Sequence, residues 1–288
     1  MIRKPARQVS RRLCWVVFCV LLLLVMCPSG QAASAQPRHG QGLFSWKVSV
    51  MEPEERERLF SVMRELSLTE LYQYIPSRAD PETTADFLSA AAEARVTVYL
   101  LTGEPVWGLD PNGDKMINEV LRAADLGLAG VMMDVEIHQT PEWDRDANAA
   151  LKGFVRAMIN TRKFADKAGV ELIACIPGNY DALGFTKRLM RLVRDGCHTV
   201  AVMNYNKRKE VVNIIKEVHY TQVFGKELIN IYELQAAGKH GLMEHNTYHK
   251  EGLDAVRGSY EKLRRVFPDC ELTFAIHNYD ALLEVMGA

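Results

Sequence analysis

The sequence predicts an α/β protein, a single (β/α)8 TIM barrel preceded by an N-terminal signal peptide. Three observations lead there. Eight short apolar runs alternate with helix-patterned stretches between residues 42 and 288. Removing 35 leader residues from 288 leaves 253, close to the roughly 250 that eight β/α units occupy. The glycine loops that open sheets use to hold phosphate, GxGxxG and GxxxxGK[ST], do not occur.

The leader is read from charge and polarity. Arg3, Lys4, Arg7, Arg11 and Arg12 form a basic stretch with no acidic residue, Cys14–Cys27 is an apolar run of 14 residues, and Ala33-Ser34-Ala35 is an A-x-A pattern. Basic head, apolar centre and small-residue end describe a secretory signal peptide over residues 1–35 and a secreted or extracytoplasmic protein. The apolar run is shorter than the roughly 20 residues of a spanning helix. The other outcome is an uncleaved anchor, and the membrane would then be met only through this segment. Residues 36–288 form the barrel domain.

Charge and cysteine content narrow the class. The chain has 35 basic and 36 acidic residues; without the five basic leader residues it carries 30 against 36, a charge of −6. A mildly acidic exported domain has no electrostatic footprint for nucleic acid. Of six cysteines, only Cys175, Cys197 and Cys270 lie beyond the leader. An odd count argues against a disulfide framework, and buried thiols are expected.

The eight candidate strands are Leu43–Lys47, Glu70–Tyr74, Val96–Leu101, Gly130–Asp134, Glu171–Ile176, Thr199–Met203, Leu228–Tyr232 and Leu272–Ile276. Helical stretches between them include Glu54–Leu66, Glu82–Arg95, Lys115–Leu126, Asp146–Ala168 and Val211–Val218. Strands alternating with helices imply a parallel sheet, and near-continuous apolar strands imply one covered on both faces. Phe87, Leu88, Ala91 and Ala92 share one helical face, as do Val211, Val212, Ile214, Ile215 and Val218; both read as core stripes.

Barrel chemistry sits at the C-terminal ends of the strands. Those ends carry Trp46, Tyr74, Trp107, Asp134 with Glu136, Asn204 with Tyr205, Glu233, and His277 with Tyr279. Acids, amides and aromatics on one rim suit a poly- or oligosaccharide. Strand side chains alternate, so Met132, Asp134 and Glu136 share a face. If Val131, Met133 and Val135 face the helices, the acids point inward, Glu136 outermost and Asp134 beneath it. Neighbouring carboxyls raise one pKa, and a carboxyl kept protonated near neutral pH can act as a general acid. His138, His240, His245 and His249 match no zinc spacing and read as solvated loop histidines, so no metal is expected. Trp107 and Trp143 each read either as a sugar platform or as a lid on the core.

Ala129-Gly130-Val131-Met132-Met133-Asp134-Val135-Glu136 resembles the strand-four DGxDxDxE of family 18 glycoside hydrolases, with Ala129 and Met132 in place of two acids. Met203-Asn204-Tyr205-Asn206 resembles that family's strand-six M-x-Y-D. The resemblance implies Glu136 as proton donor, Asp134 as its partner and Tyr205 as a contact to the reacting group. It does not imply the N-acetyl-assisted chemistry of chitinases, because Met132 replaces an acid. Asp134-Val135-Glu136, Pro141-Glu142-Trp143, Asn246–Gly252 and Ala275–Tyr279 together look like a group of exported bacterial glycoside-hydrolase-like barrels whose substrates are largely undefined. Glu233 resembles the strand-seven nucleophile of another glycosidase clan; its other readings are a sugar-hydroxyl ligand or a partner for Lys47.

The functional expectation is an exported glycosidase with Glu136 and Asp134 at its centre, Glu233 beside them, and no cofactor, because oxocarbenium chemistry needs carboxylates alone. The alternatives are a carbohydrate-binding barrel that has lost turnover and a hydrolase of another polymer.

Overall fold

The computed structural model of the protein describes residues 38–180 and 183–287. The leader reading, residues 1–35, lies outside the described residues, as does Asp181. Eight parallel strands close in sequence order, β1 pairing with both β2 and β8. They are β1 (Gly42–Ser45), β2 (Glu70–Gln73), β3 (Thr97–Thr102), β4 (Gly130–Met133), β5 (Glu171–Pro177), β6 (Thr199–Met203), β7 (Leu228–Glu233) and β8 (Leu272–His277). A helix follows each: α1 (Pro53–Glu65), α2 (Pro81–Glu93), α3 (Asp114–Asp125), α4 (Pro141–Ala168), α5 (Thr186–Arg191), α6 (Glu210–Phe224), α7 (Gly252–Val266) and α8 (Tyr279–Met286). This is the (β/α)8 TIM barrel the alternation predicts.

The differences are local. β4 ends at Met133, one residue before the expected end, although Asp134 still donates its amide to the Thr102 carbonyl at 2.8 Å. β7 and β8 each run one residue further because Glu233 pairs in register with His277. Helix α4 begins at Pro141 rather than Asp146. Thr140 caps it, and the chain kinks at Asp146 (φ −157°, ψ 86°). The expected start is therefore the kink itself, where Asp146 accepts from the Ala149 amide.

Alternation along the strands separates two apolar layers. Phe44, Tyr72, Leu101, Met132, Ile173 and Ile231 fill the barrel interior. Val131, Met133 and Val135 join the layer between sheet and helices. Two expected core stripes need correction. Phe87 and Ala91 are buried, but Ala92 is exposed. On α6, Ile214 and Val218 are buried while Val212 and Ile215 are 65% and 49% exposed. Two apolar residues in succession stand about 100° apart on a helix, and the sheet covers only one of them. Cys175, Cys197 and Cys270 are buried free thiols, as expected.

The N-terminal end of the barrel is sealed by charge. His39 lies just before β1, between Glu70 and Glu171, with one ring nitrogen 3.0 Å from each. Tyr72 donates to Glu70 at 2.7 Å, and Thr199 donates to Glu171 at 2.6 Å. Burial opposes charge on His39, but the hydrogen bonds and charges of Glu171 and Glu70 outweigh it and raise its pKa to about 10. Burial also works against the Glu171 carboxylate, yet His39 pulls it down to about 2.

Candidate active site

At the opposite end, Trp46, Asp134, Glu136, Tyr205, Glu233 and His277 line one cavity of about 800 Å³. These six come from β1, β4, β6, β7 and β8 and their following loops. The chain brings them together because each stands on the inward face at its strand end. Asp134 follows Met132 in the interior layer, and Glu136 follows Asp134, as alternation predicts.

A close backbone approach holds the acids in place. A Cβ on Gly103, after β3, would lie 2.0 Å from the Asp134 carbonyl oxygen. Only glycine lets the β3 end pass this near to the β4 end. Beyond Glu136 the chain turns through Ile137–Gln139, with Ile137 fully buried and the Gln139 amide donating to the Glu136 carbonyl at 2.9 Å.

The protonation order differs from the expected one. Burial and then the Glu136 charge raise Asp134 to a pKa of about 6. Burial also pushes Glu136 up, but hydrogen bonding and charge from His138 bring it below its ordinary value. His138 Nε2 lies 3.3 Å from Glu136 Oε2. In the free site, therefore, the inner acid holds the proton more readily and the outer acid is the carboxylate. Cys175 lies on the cavity floor in hydrogen-bonding contact with Asp134. Tyr205 is pushed well up by burial, then by the Glu233 charge, and keeps its phenolic proton.

Glu233 is 2% exposed and accepts from the Gln235 amide at 2.7 Å. Its other oxygen meets His277 Nδ1 at 2.9 Å. Burial lowers His277, but Glu233 raises it to a net upward shift. Lys47 does not pair with Glu233. It reaches Glu55 at 2.9 Å and Asp280 at 3.8 Å instead, turned out over the rim.

Four expected substrate contacts stand outside the cavity lining. Asn204 is buried and donates to the Glu210 carbonyl and to Asn230, while Asn213 donates to it; it ties β6 to β7 and to the start of α6. Tyr279 is 1% exposed in the layer between sheet and helices, because it opens α8 after strand alternation has ended at His277. Trp107 packs on that layer as a lid. Tyr74 supports Trp46 from the side, ring centroids 5.9 Å apart. Trp143 stacks on the buried Tyr180 at 5.5 Å and packs on the core outside the cavity lining, the lid of its two readings.

Sequence reasoning missed His138, which lines the cavity half-buried, while His240 is the exposed loop histidine expected and also borders the cavity. It also missed Cys175 and Gln235. Cys175 was legible, since alternation from Ile173 puts it inside. His138 was not, because loop paths carry no period. Among the described residues no group of three or more His, Cys, Asp or Glu is arranged to hold a metal ion.

No protein-family model and no curated protein matches the sequence. Solved structures do match in fold. A GH18 chitinase from Cycas revoluta, crystallised with (GlcNAc)4, superposes with a TM-score of 0.54 at 12% identity, covering 85% of this chain and 97% of that one. The same chitinase complexed with allosamidin gives 0.51 at 11% identity over 85% and 97%. The Ostrinia furnacalis Group II chitinase catalytic domain 2 gives 0.50 at 12% identity over 83% and 89%. At these identities the likeness is one of fold: the chain is a barrel similar to those of GH18 chitinases.

Proposed function

We propose that this protein is an exported carbohydrate-active barrel that hydrolyses glycosidic bonds, with Glu136 as general acid assisted by Asp134. The observation that carries the reading is the inward pair itself. Two carboxyls from one strand end stand in the same cavity, Glu136 outermost and Asp134 beneath it holding the proton more readily, so a proton can pass from Asp134 to Glu136 on its way to a leaving oxygen. Glu136 is the outer of the two and meets a bound chain first. Asp134, with its higher pKa, supplies the second site for that proton. Tyr205, a phenol donor, and the Glu233–His277 pair are placed to bond sugar hydroxyls, and Trp46 offers a ring face. Export follows from the leader pattern. The fold shared with oligosaccharide-bound chitinases supports a saccharide ligand.

The ion pair between Glu136 and His138 favours a second reading, a saccharide-binding barrel without turnover, because an ionised Glu136 donates no proton. Purified protein incubated with neutral and amino-sugar oligosaccharides, with products followed by NMR, separates the two. A hydrolase releases new reducing ends, and Glu136→Gln lowers the rate by about 10²–10⁴-fold while binding persists. Binding without any new reducing ends from wild type establishes the second reading. Hydrolysis that survives Glu136→Gln unchanged removes Glu136 from the chemistry.

A further inference from the structure

His138 follows the candidate acid by two residues, and the turn that carries it is held at several points. Ile137 is buried, and the Thr140 hydroxyl donates to the Ile137 carbonyl at 2.8 Å. The imidazole stands edge-on to Trp143 and Tyr180, at 6.3 and 6.4 Å between ring centroids. Phe185 packs edge-on to the other side of Trp143 at 5.6 Å. Two aromatic rings thus flank the imidazole, the first backed by Phe185, with Nε2 turned to Glu136.

The opposite nitrogen is the informative one. His138 Nδ1 is buried and has no hydrogen-bond partner; the same holds for the Tyr180 hydroxyl and for Asp134 Oδ1. Buried polar atoms are almost always partnered, because an unmet group loses hydration without compensation. The charge of Glu136 acts on Asp134 and on Tyr180, and His138 acts on Glu136 by hydrogen bonding and charge.

We propose that His138 is a positioning residue for the candidate acid, docking Glu136 against the aromatic wall and exchanging one proton with it along the Nε2–Oε2 contact. The step it serves rests on the glycosidase reading above. With one proton on the pair, transfer from Nε2 to Oε2 gives a neutral imidazole and a neutral carboxyl. The carboxyl protonates the leaving oxygen as the C–O bond breaks, and that bond's electron pair stays on the oxygen. Water adds to the sugar carbon, and its released proton returns to the Glu136–His138 pair. The other titratable groups facing Glu136 are Asp134 after β4, Cys175 in β5, Tyr180 in the β5–α5 loop, Tyr205 after β6 and His277 at the end of β8.

The test uses the full chain with 13C-labelled Glu and Asp side-chain carboxyls, titrated by NMR, with Glu136→Gln to assign the signal. Two variants, His138→Gln and His138→Asn, keep a polar side chain that cannot exchange a proton. In both, the Glu136 midpoint is expected to rise by about one pH unit, since His138 is its main downward influence. Where a hydrolysed oligosaccharide is in hand, kcat falls by about tenfold or more with KM little changed, and the pH profile moves with the Glu136 midpoint. An unmoved Glu136 midpoint in folded variants overturns the proposal. So does a loss of thermal stability with the pH profile unaltered, the mark of a merely structural residue. If the midpoint moves but wild type hydrolyses nothing, the docking of Glu136 stands and the glycosidase reading fails instead.

Discussion

At the floor of the barrel an imidazole lies between two carboxylates, and every one of their polar atoms has a partner. At the mouth another imidazole lies beside a carboxylate, and three polar atoms around that pair have none. The two ends use the same residue types. Their difference is completeness. His39, Glu70 and Glu171 satisfy one another, so their burial is compensated and the network closes the barrel. Asp134, Glu136 and His138 are held in low-dielectric surroundings with unmet bonds, which weakens the fold and leaves something for a ligand to complete. In barrels the N-terminal face carries stability and the C-terminal face chemistry. Here that division is visible in hydrogen-bond accounting alone.

The largest effect belongs to the floor. His39→Gln leaves Glu70 and Glu171 without a cation, and a loss of about 3–5 kcal/mol is expected in urea unfolding at pH 6, with saccharide handling at the mouth unchanged. The pH dependence has a definite sign. A histidine raised from 6.5 to about 10 stabilises the fold fully below pH 6.5 and loses that contribution as pH rises through about 10. Glu171, lowered from 4.5 to about 2, contributes above pH 4.5 and loses it as pH falls through about 2. Both shifts describe one interaction, so the floor is strongest between those limits. Unfolding midpoints measured from pH 6 to 10 should decline in wild type and stay flatter in His39→Gln.

Substitution at the mouth should have the opposite effect. Asp134 is raised from 3.8 to about 6, so its ionisation costs stability progressively as pH rises from 3.8 to about 6 and in full above that. Asp134→Asn is expected to stabilise the protein by about 1–2 kcal/mol at pH 7 while impairing hydrolysis. A destabilised Asp134→Asn would break the contrast between the two ends.

Gly103→Ala joins stability to function. Its Cβ meets backbone atoms of Asp134 at 2.0 and 2.3 Å, so the β4 end must shift. A loss of about 1–3 kcal/mol is expected, together with lower activity, because the acids move with the strand. The smallest effect is on the flank. Val212 is 65% exposed on α6, and Val212→Lys should change the unfolding free energy by less than about 0.5 kcal/mol. A larger change would mean that the exposed row of α6 is covered in solution.

Five of the eight helices were legible in the sequence, because each repeats an apolar face for two turns or more. α5 was not: six residues running into the Leu192–Gly196 turn are too few to show a period. Of the expected site residues, Asp134, Glu136 and Glu233 stand on the inward side of a strand end and line the cavity, while Tyr74 and Asn204, which directly follow strands, do not. In the loops, Trp107 and Trp143 pack on the core, the lid of their two readings, and His138 lines the site. A strand transmits direction from residue to residue with period two; a loop transmits none.

By itself, the sequence determined the eightfold alternation, the inward face of each strand and so the inward acids of strand four. These are local properties: apolar spacing dictates which side of a strand or helix is buried. Only the tertiary structure decided which carboxyl keeps the proton. That depends on His138 rather than Lys47 or any neighbour in the strand reaching Glu136, and on how deeply the barrel buries Asp134. Electrostatic energy depends on distance and dielectric, and both exist only once the barrel has closed.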